Sequence, residues 1–298
     1  MNEKTLAEID YFRIRDLIAN FCISEEGKKS LLEREPFTDS KKIEFLKNIS
    51  REWVSYLTLT HNNPVKNWEP IHPLFSIIKT DGASLTLEQV RALGQFCLSV
   101  KNVKKSVLIH ETDLNLKILP LEINKLPDES EAEKIIFRII TTDGELRDLP
   151  EIVAIRKSIA SLNAKIKTIM QSYISDQKYE SSLESNVPVL RGGRQVLAVK
   201  ASQQNKIHGI IHEVSQSAQT VYVEPDEAVL CSNELIQKEN ELLQVINKIL
   251  LDVTKALQPS IPFFRDALPL MIELDSTLAV AKWGSENNCT YALSCPGD

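Results

Sequence analysis

Val189-Leu190-Arg191-Gly192-Gly193-Arg194-Gln195-Val196-Leu197-Ala198-Val199-Lys200 is the stretch on which the reading of the fold turns. Two extended runs flank a glycine pair, and paired glycines accept the positive φ that tight hairpin turns require. Further β-branched and aromatic runs follow at Ile207 to Val214 and at Thr220-Val221-Tyr222-Val223, divided by polar turns. Residues 187–224 therefore read as about four short antiparallel strands.

Helical patterns lie on both sides of this insert. Ile152, Ile155, Ile159, Leu162, Ile166, Ile169 and Tyr173 recur at alternating spacings of three and four, with Arg156, Lys157, Lys165 and Lys167 off the seam. That is an a/d heptad stripe, and a helix over 151–178 would be roughly 40 Å long. Leu235, Leu242, Ile246, Ile249, Val253 and Ala256 form a second stripe after Pro225, where Asp226 and Glu227 favour a helix start. The two seams predict an antiparallel lever of two helices, although each seam could instead lie on a globular core.

Farther out, residues 4–108 read as successive amphipathic helices. One carries Leu6, Ile9, Ile14, Leu17 and Ile18, and one follows Ser24 as N-cap. A third opens at Thr38 and carries Trp53, and a fourth opens at Thr86. Asp143-Gly144 is a strong turn dipeptide, which predicts a strand pair from Ile135–Ile140 and Glu145–Arg147. The fold class predicted is mainly α: a helical core (1–149), a lever helix (150–183), a β clamp (187–225), the returning lever helix (226–257), and a return to the core (258–298).

Composition narrows the function. Hydrophobic residues make up 43% and charged residues 26%, the balance of a globular protein, and nine glycines are too few for an all-β chain. Cysteines 22, 97, 231, 289 and 295 form no CxxC pair and are odd in number, so reduced thiols are expected. The start, Met1-Asn2-Glu3-Lys4, opens no apolar signal sequence, and no run is long enough to span a bilayer, so a cytoplasmic, membrane-free protein is expected. The net charge of −6 excludes a protein that coats nucleic acid with its whole surface. Within 187–223, however, Arg191, Arg194, Lys200 and Lys206 stand against Glu213 alone, a local +3 that leaves −9 for the rest.

A positive module on a negative body suits phosphate contact, though an ordinary solvated hairpin carries such charge equally well. Arg191, Gly192, Gly193, Arg194, Lys200, Lys206 and Ser217 are the candidate nucleic-acid-binding residues. Ser217 belongs to a run, Ser215-Gln216-Ser217-Ala218-Gln219-Thr220, that offers hydroxyls and amides to phosphate or simply forms a polar turn. His208 and His212 would sit on one strand face about 13 Å apart, too far for one ion, so no metal site is expected. Glu224-Pro225-Asp226-Glu227 reads as helix initiation. Gly27-Lys28-Lys29-Ser30 lacks the earlier glycine of a P-loop, and no nucleophile–base pairing is visible, so no catalytic residue is assigned.

The central block resembles the type-two MutS proteins, the bacterial endonuclease branch of that family. The matching segments are 189–200, Gly209-Ile210-Ile211-His212-Glu213-Val214-Ser215, Thr220-Val221-Tyr222-Val223-Glu224-Pro225 and Asn233-Glu234-Leu235. Glu3-Lys4-Thr5-Leu6, Ile14-Arg15, Gly27-Lys28, Asp143-Gly144-Glu145 and Leu274 to Lys282 are similar as well. The family usually has a glycine where Ala218-Gln219 stands and often an asparagine at the position of Gly192. The resemblance implies a core, lever and clamp followed by an ATPase module that binds ATP and Mg, then a small nuclease domain, with this chain as the N-terminal part. It implies a homodimer that grips duplex or branched DNA and restrains homologous recombination. A ribosome- or rRNA-engaging arm, or a coiled-coil protein-interaction module, is the competing reading.

Overall fold

A computed structural model describes residues 3–292; Met1, Asn2, Cys295 and the last residues of the 258–298 segment lie outside the described residues. The chain forms two compact units, one from the residues up to 147 together with those from 250 onward, the other Asp148–Ile249. The fold is mainly α, with one small four-stranded antiparallel sheet among the described residues.

The first unit begins with α1 (Glu3–Glu8), α2 (Tyr11–Ala19), α3 (Glu25–Leu32), α4 (Ser40–Thr60), α5 (Leu74–Lys79), α6 (Leu87–Leu108), α7 (Leu119–Ile123) and α8 (Ser130–Phe137). Helix α9 (Pro150–Ser175) and the short α10 (Gln177–Glu180) follow in the second unit, and α11 (Asp226–Ala256) and α12 (Ile261–Glu286) come after the sheet. Trp53, Tyr56, Trp68, Phe96 and Phe264 are fully buried in the first unit. Phe96 lies edge-on to Trp68, and the Trp53 indole N–H donates to Thr277 at 3.0 Å, which satisfies the polar atom that burial would otherwise strand.

Asp275 fixes the entry into α3. Its carboxylate is fully buried and accepts from the backbone N–H groups of Ile23 and Ser24 and from the Ser24 hydroxyl. Ser24 in turn caps α3 by accepting from the Gly27 N–H at 2.9 Å. A side-chain carbon at Gly27 would stand 2.3 Å from the Asp275 carboxylate, so only glycine fits there. Burial pushes the Asp275 carboxyl up, against the opposing pull of those hydrogen bonds.

Several local expectations are corrected. The first apolar stripe is not one helix facing the core: Asp10, with φ 56°, separates α1 from α2, and Ile9, Ile14 and Leu17 are exposed. Helix α4 opens on Asp39, not Thr38, because the Asp39 carboxylate accepts from the Lys41 N–H. The Asp143-Gly144 turn exists, but Ile135–Ile140 is no strand. Ile135 to Phe137 complete α8, and a single bridge, Ile140 to Leu146, closes the turn. The segment is too short to propagate a ladder, while Ile136 is fully buried on the inner face of the helix.

In the second unit α9 ends at Ser175 rather than running on to 183. Asp176 turns extended there and its carboxylate caps α10 through the Lys178 N–H. The stripe of α9 is largely as read, but Met170 is buried in place of Ile169, which is half-buried. A helix of 3.6 residues per turn drifts away from a 3.5-residue stripe, and after a few turns the neighbouring position takes over. Tyr173 of α9 donates to Glu227 at the start of α11, and the middle of α9 and the early part of α11 line one common cavity, Asn163 and Ile166 opposite Ser232, Leu235 and Glu239. The numbers fall along one helix as they rise along the other, so this part of the pair is antiparallel.

Strands β1 (Val189–Arg191), β2 (Arg194–Lys200), β3 (Gly209–Val214) and β4 (Thr220–Pro225) lie in the order β1-β2-β4-β3. Leu197, Val199, Val221 and Val223 alternate onto one face and pack on Ile166, Met170, Tyr173 and Ala228. Each such aliphatic side chain contributes about 2 kcal/mol when fully buried. The third strand starts at Gly209, not Ile207, because residues 201–206 wind into a 3-10 turn first.

We expect Asp275→Ala to cost about 3 kcal/mol, since two backbone N–H groups lose their acceptor in the interior. Thermal unfolding of the first unit, followed by its tryptophan fluorescence, reads this as a melting point several degrees lower; an unchanged melting point would show that the carboxylate does not hold α3.

Candidate functional site

The candidate residues separate along β2. Gly192 and Gly193, with φ of 56° and 79°, form the β1–β2 turn, and Arg191 and Arg194 face each other across it. Both positive φ values are those of the turn that the glycine pair predicts. Lys200 is at the other end of β2, paired with Thr220. Six residue steps at 3.3 Å put about 20 Å between the two ends. The seven residues therefore do not form one patch.

At the glycine end both arginines are engaged. Arg194 sends its Nη1 to both carboxylate oxygens of Glu224, at 3.1 and 3.0 Å, and its Nη2 to Asn233 on α11. Glu224 is fully buried, and His212 Nε2 also lies 2.7 Å from its Oε2. Arg191 stacks over the Tyr222 ring at 4.4 Å, and its Nε lies 2.9 Å from Glu213, close enough for an ion pair but off the line of a hydrogen bond. A guanidinium whose charge is balanced by a buried carboxylate adds little to the field felt by a phosphate.

The tally of charge changes accordingly. Glu224 belongs to β4 and to the interior of the sheet rather than to a helix start, so the module carries four cations against two carboxylates, Glu213 and Glu224. Alternation puts Glu224 on the face opposite Val221 and Val223, so the sequence pattern reads as a solvent position, and only the structure shows the buried carboxylate that requires a cation. The partnership of Arg194 with Asn233 left no trace in spacing, since the two residues are joined only by packing.

At the other end Lys200 opens the 3-10 turn, with the serine-rich turn tied beside its start by Ala201 N–H donating to Gln219 O at 2.8 Å, while Lys206 closes the 3-10 turn two residues before His208, whose carbonyl accepts from the Asp226 N–H at the α11 start. Lys206 is exposed, and Lys200 Nζ donates to Ser181 O at 3.1 Å. Ser215 is occupied by the turn itself, accepting from the Thr220 N–H, while Ser217 is exposed at the apex before Ala218, whose φ is 55°. Strand β4 runs from this turn straight into α11, so the turn lies at the end of the sheet remote from that helix start. His208 precedes β3 and His212 occupies a bulge between Ile211 and Glu213, so the two histidines do not share a regular strand face. Among the described residues no group of three or more His, Cys, Asp or Glu side chains could hold a metal ion. Cys22, Cys97, Cys231 and Cys289 are free thiols. No helix of the described residues is long and apolar enough to cross a membrane.

No family model matches the sequence. Curated proteins do. The chain is similar to an endonuclease MutS2 of Lactococcus lactis, 32% identical over 245 residues that cover 80% of this chain and 30% of the relative. An endonuclease MutS2 of Aquifex aeolicus is 27% identical over 80% of the chain and 31% of its own length, and one of Streptococcus pyogenes is 27% identical over 97% and 37%. The chain thus spans about a third of the length of the relatives it matches.

Replacing Arg194 with Met should cost about 3 kcal/mol, because it removes the bidentate partner of a buried carboxylate. Changing Glu224 to Met as well should recover much of that loss. Hydrogen exchange of the β2 and β4 amides measures both variants; equal protection in Arg194→Met and the unaltered chain would overturn the structural role of this pair.

Proposed function

Because the chain belongs to the MutS2 family and matches its N-terminal part, we propose that residues 187–225 are a nucleic-acid clamp carried by α9 and α11. Its ligand is duplex or branched DNA, and the parent protein restrains homologous recombination as a homodimer. ATP and Mg, and any strand cleavage, belong to the part of the family's length that this chain does not cover.

One observation carries the reading: Lys200 and the exposed Ser217 turn lie at the sheet end remote from the α11 start, and the exposed Lys206 closes the 3-10 turn that leads back from it, while Arg194 is engaged by Glu224 in the interior. Lysines meet phosphates as point charges, which favours affinity and steering without selecting a base sequence. The exposed Ser217 hydroxyl adds a donor to phosphate oxygen. The glycine turn supplies backbone that a strand can approach closely, with Arg191 beside it. A body of negative charge repels DNA elsewhere and leaves this module as the region of contact.

The double variant Lys200→Glu, Lys206→Glu leaves the Arg194–Glu224 pair intact and tests the contact directly. Two lost phosphate contacts should flatten the slope of log affinity against log salt by about 2. Fluorescence anisotropy with a labelled duplex and a four-way junction at several salt concentrations measures it. An unchanged slope with unchanged affinity would refute the clamp contact.

A further inference from the structure

Helix α9 carries three cations that no carboxylate answers among the described residues. Arg156, Lys157, Lys165 and Lys167 stand on it against Glu151 alone, and residues 152–175 contain no Asp or Glu. The part of α11 in the same unit, 226–249, is the reverse, with Asp226, Glu227, Glu234, Glu239 and Glu241 against Lys238 and Lys248. Paired helices of opposite charge ordinarily spend that charge on each other beside the seam. Here they do not. Arg156 pairs with Asp148 at 3.2 Å and Lys238 with Glu241 on its own helix, while Lys157, Lys165 and Lys167 make no ion pair or hydrogen bond among the described residues.

The three lysines share the solvent side of the helix. Ile152, Ile155, Leu162, Ile166, Met170 and Tyr173 form its buried stripe. At about 100° per residue Lys157 points directly away from that stripe, with Lys165 and Lys167 on its two flanks. All three are exposed, and the exposed positions between them are small: Ala160, Ser161, Ala164 and Thr168. A rod-like polyanion can therefore lie close to the helix, with lysine stems reaching it from both sides. The rise from Lys157 to Lys167 is about 15 Å. One DNA strand presents a charge about every 3.4 Å along its axis, so roughly four phosphates pass the stripe. The stripe also leads towards the clamp. After α9 the chain passes beside Lys200, whose Nζ donates to Ser181 O at 3.1 Å and whose N–H donates to Ser182 O at 2.9 Å.

We propose that Lys157, Lys165 and Lys167 form a second nucleic-acid contact, a stripe along α9 that holds the phosphate backbone of duplex DNA. The inference rests on the nucleic-acid reading above and goes beyond the clamp, because it places contact on the stem as well as on the sheet. Lysines without a base-reading partner bind backbone charge and select no sequence. Two contacts set apart along one arm favour DNA long or branched enough to reach both.

The triple variant Lys157→Gln, Lys165→Gln, Lys167→Gln tests the stripe in the whole chain. Glutamine keeps the helix propensity of lysine and all three sites are solvated, so the melting point should stay within about two degrees. Fluorescence anisotropy with a labelled duplex and a four-way junction should show the slope of log affinity against log salt flatter by about 3, and affinity at low salt lower by at least about tenfold. Each single variant should flatten the slope by about 1. Lys4→Gln, Lys41→Gln, Lys79→Gln removes the same charge from exposed lysines of the first unit and should leave the slope as it was. An unchanged slope in the α9 variants, or an equal change in the first-unit variant, would defeat the stripe. Equal competition by polyglutamate would defeat it too, by marking a surface for acidic protein. The two readings fail separately. Binding lost in Lys200→Glu, Lys206→Glu but intact in the α9 variant refutes the stripe alone, and the opposite result refutes the clamp contact alone.

Discussion

A carboxylate inside a small sheet is the constraint on which the second unit depends. Glu224 is fully buried on β4, where an unpaired charge would be costly by several kcal/mol. It is tolerated because Arg194 approaches from the neighbouring strand with two hydrogen bonds and His212 from the other side with one. Arg194 also reaches Asn233 on α11, so one guanidinium joins the hairpin, the central strand and the helix that follows. The register of β2 against β4 and the docking of the hairpin are thereby set by charge pairing as well as by aliphatic burial.

This pairing changes the chemistry available at the surface. An arginine next to a glycine turn would ordinarily be the first choice for phosphate contact. Here the structural demand takes precedence, and Lys200 at the opposite end of β2 and the exposed Lys206 are the cations of the module left without a carboxylate partner among the described residues.

The first unit uses an equivalent device without charge pairing. Asp275 is held by two backbone N–H groups and a serine hydroxyl at the start of α3, a site where the helix dipole also favours negative charge. Gly27 is the complement of that arrangement, since any larger residue would displace the carboxylate. Each unit thus uses a buried carboxylate to fix how a helix meets its neighbours, and both do so with partners far away along the chain.

Helices α3, α4, α6, α9 and α11, the hairpin and its glycine turn were legible from residues alone, because 3.6- and 2-residue periodicities and the φ preference of glycine are local properties. Ser24 and Thr86 announced helix starts for the same reason, and both cap as read. Local pattern failed where a short apolar run had two outcomes: Ile135 to Phe137 joined a helix instead of a strand because burial of Ile136 outweighed a single possible bridge. The separation of the candidate residues along β2 and the engagement of Arg194 by Glu224 and Asn233 were decided only by the tertiary structure. Sequence gives each residue its charge and its place on a strand or helix, but whether that charge is spent depends on which residue, dozens of positions away, packing brings within hydrogen-bond reach.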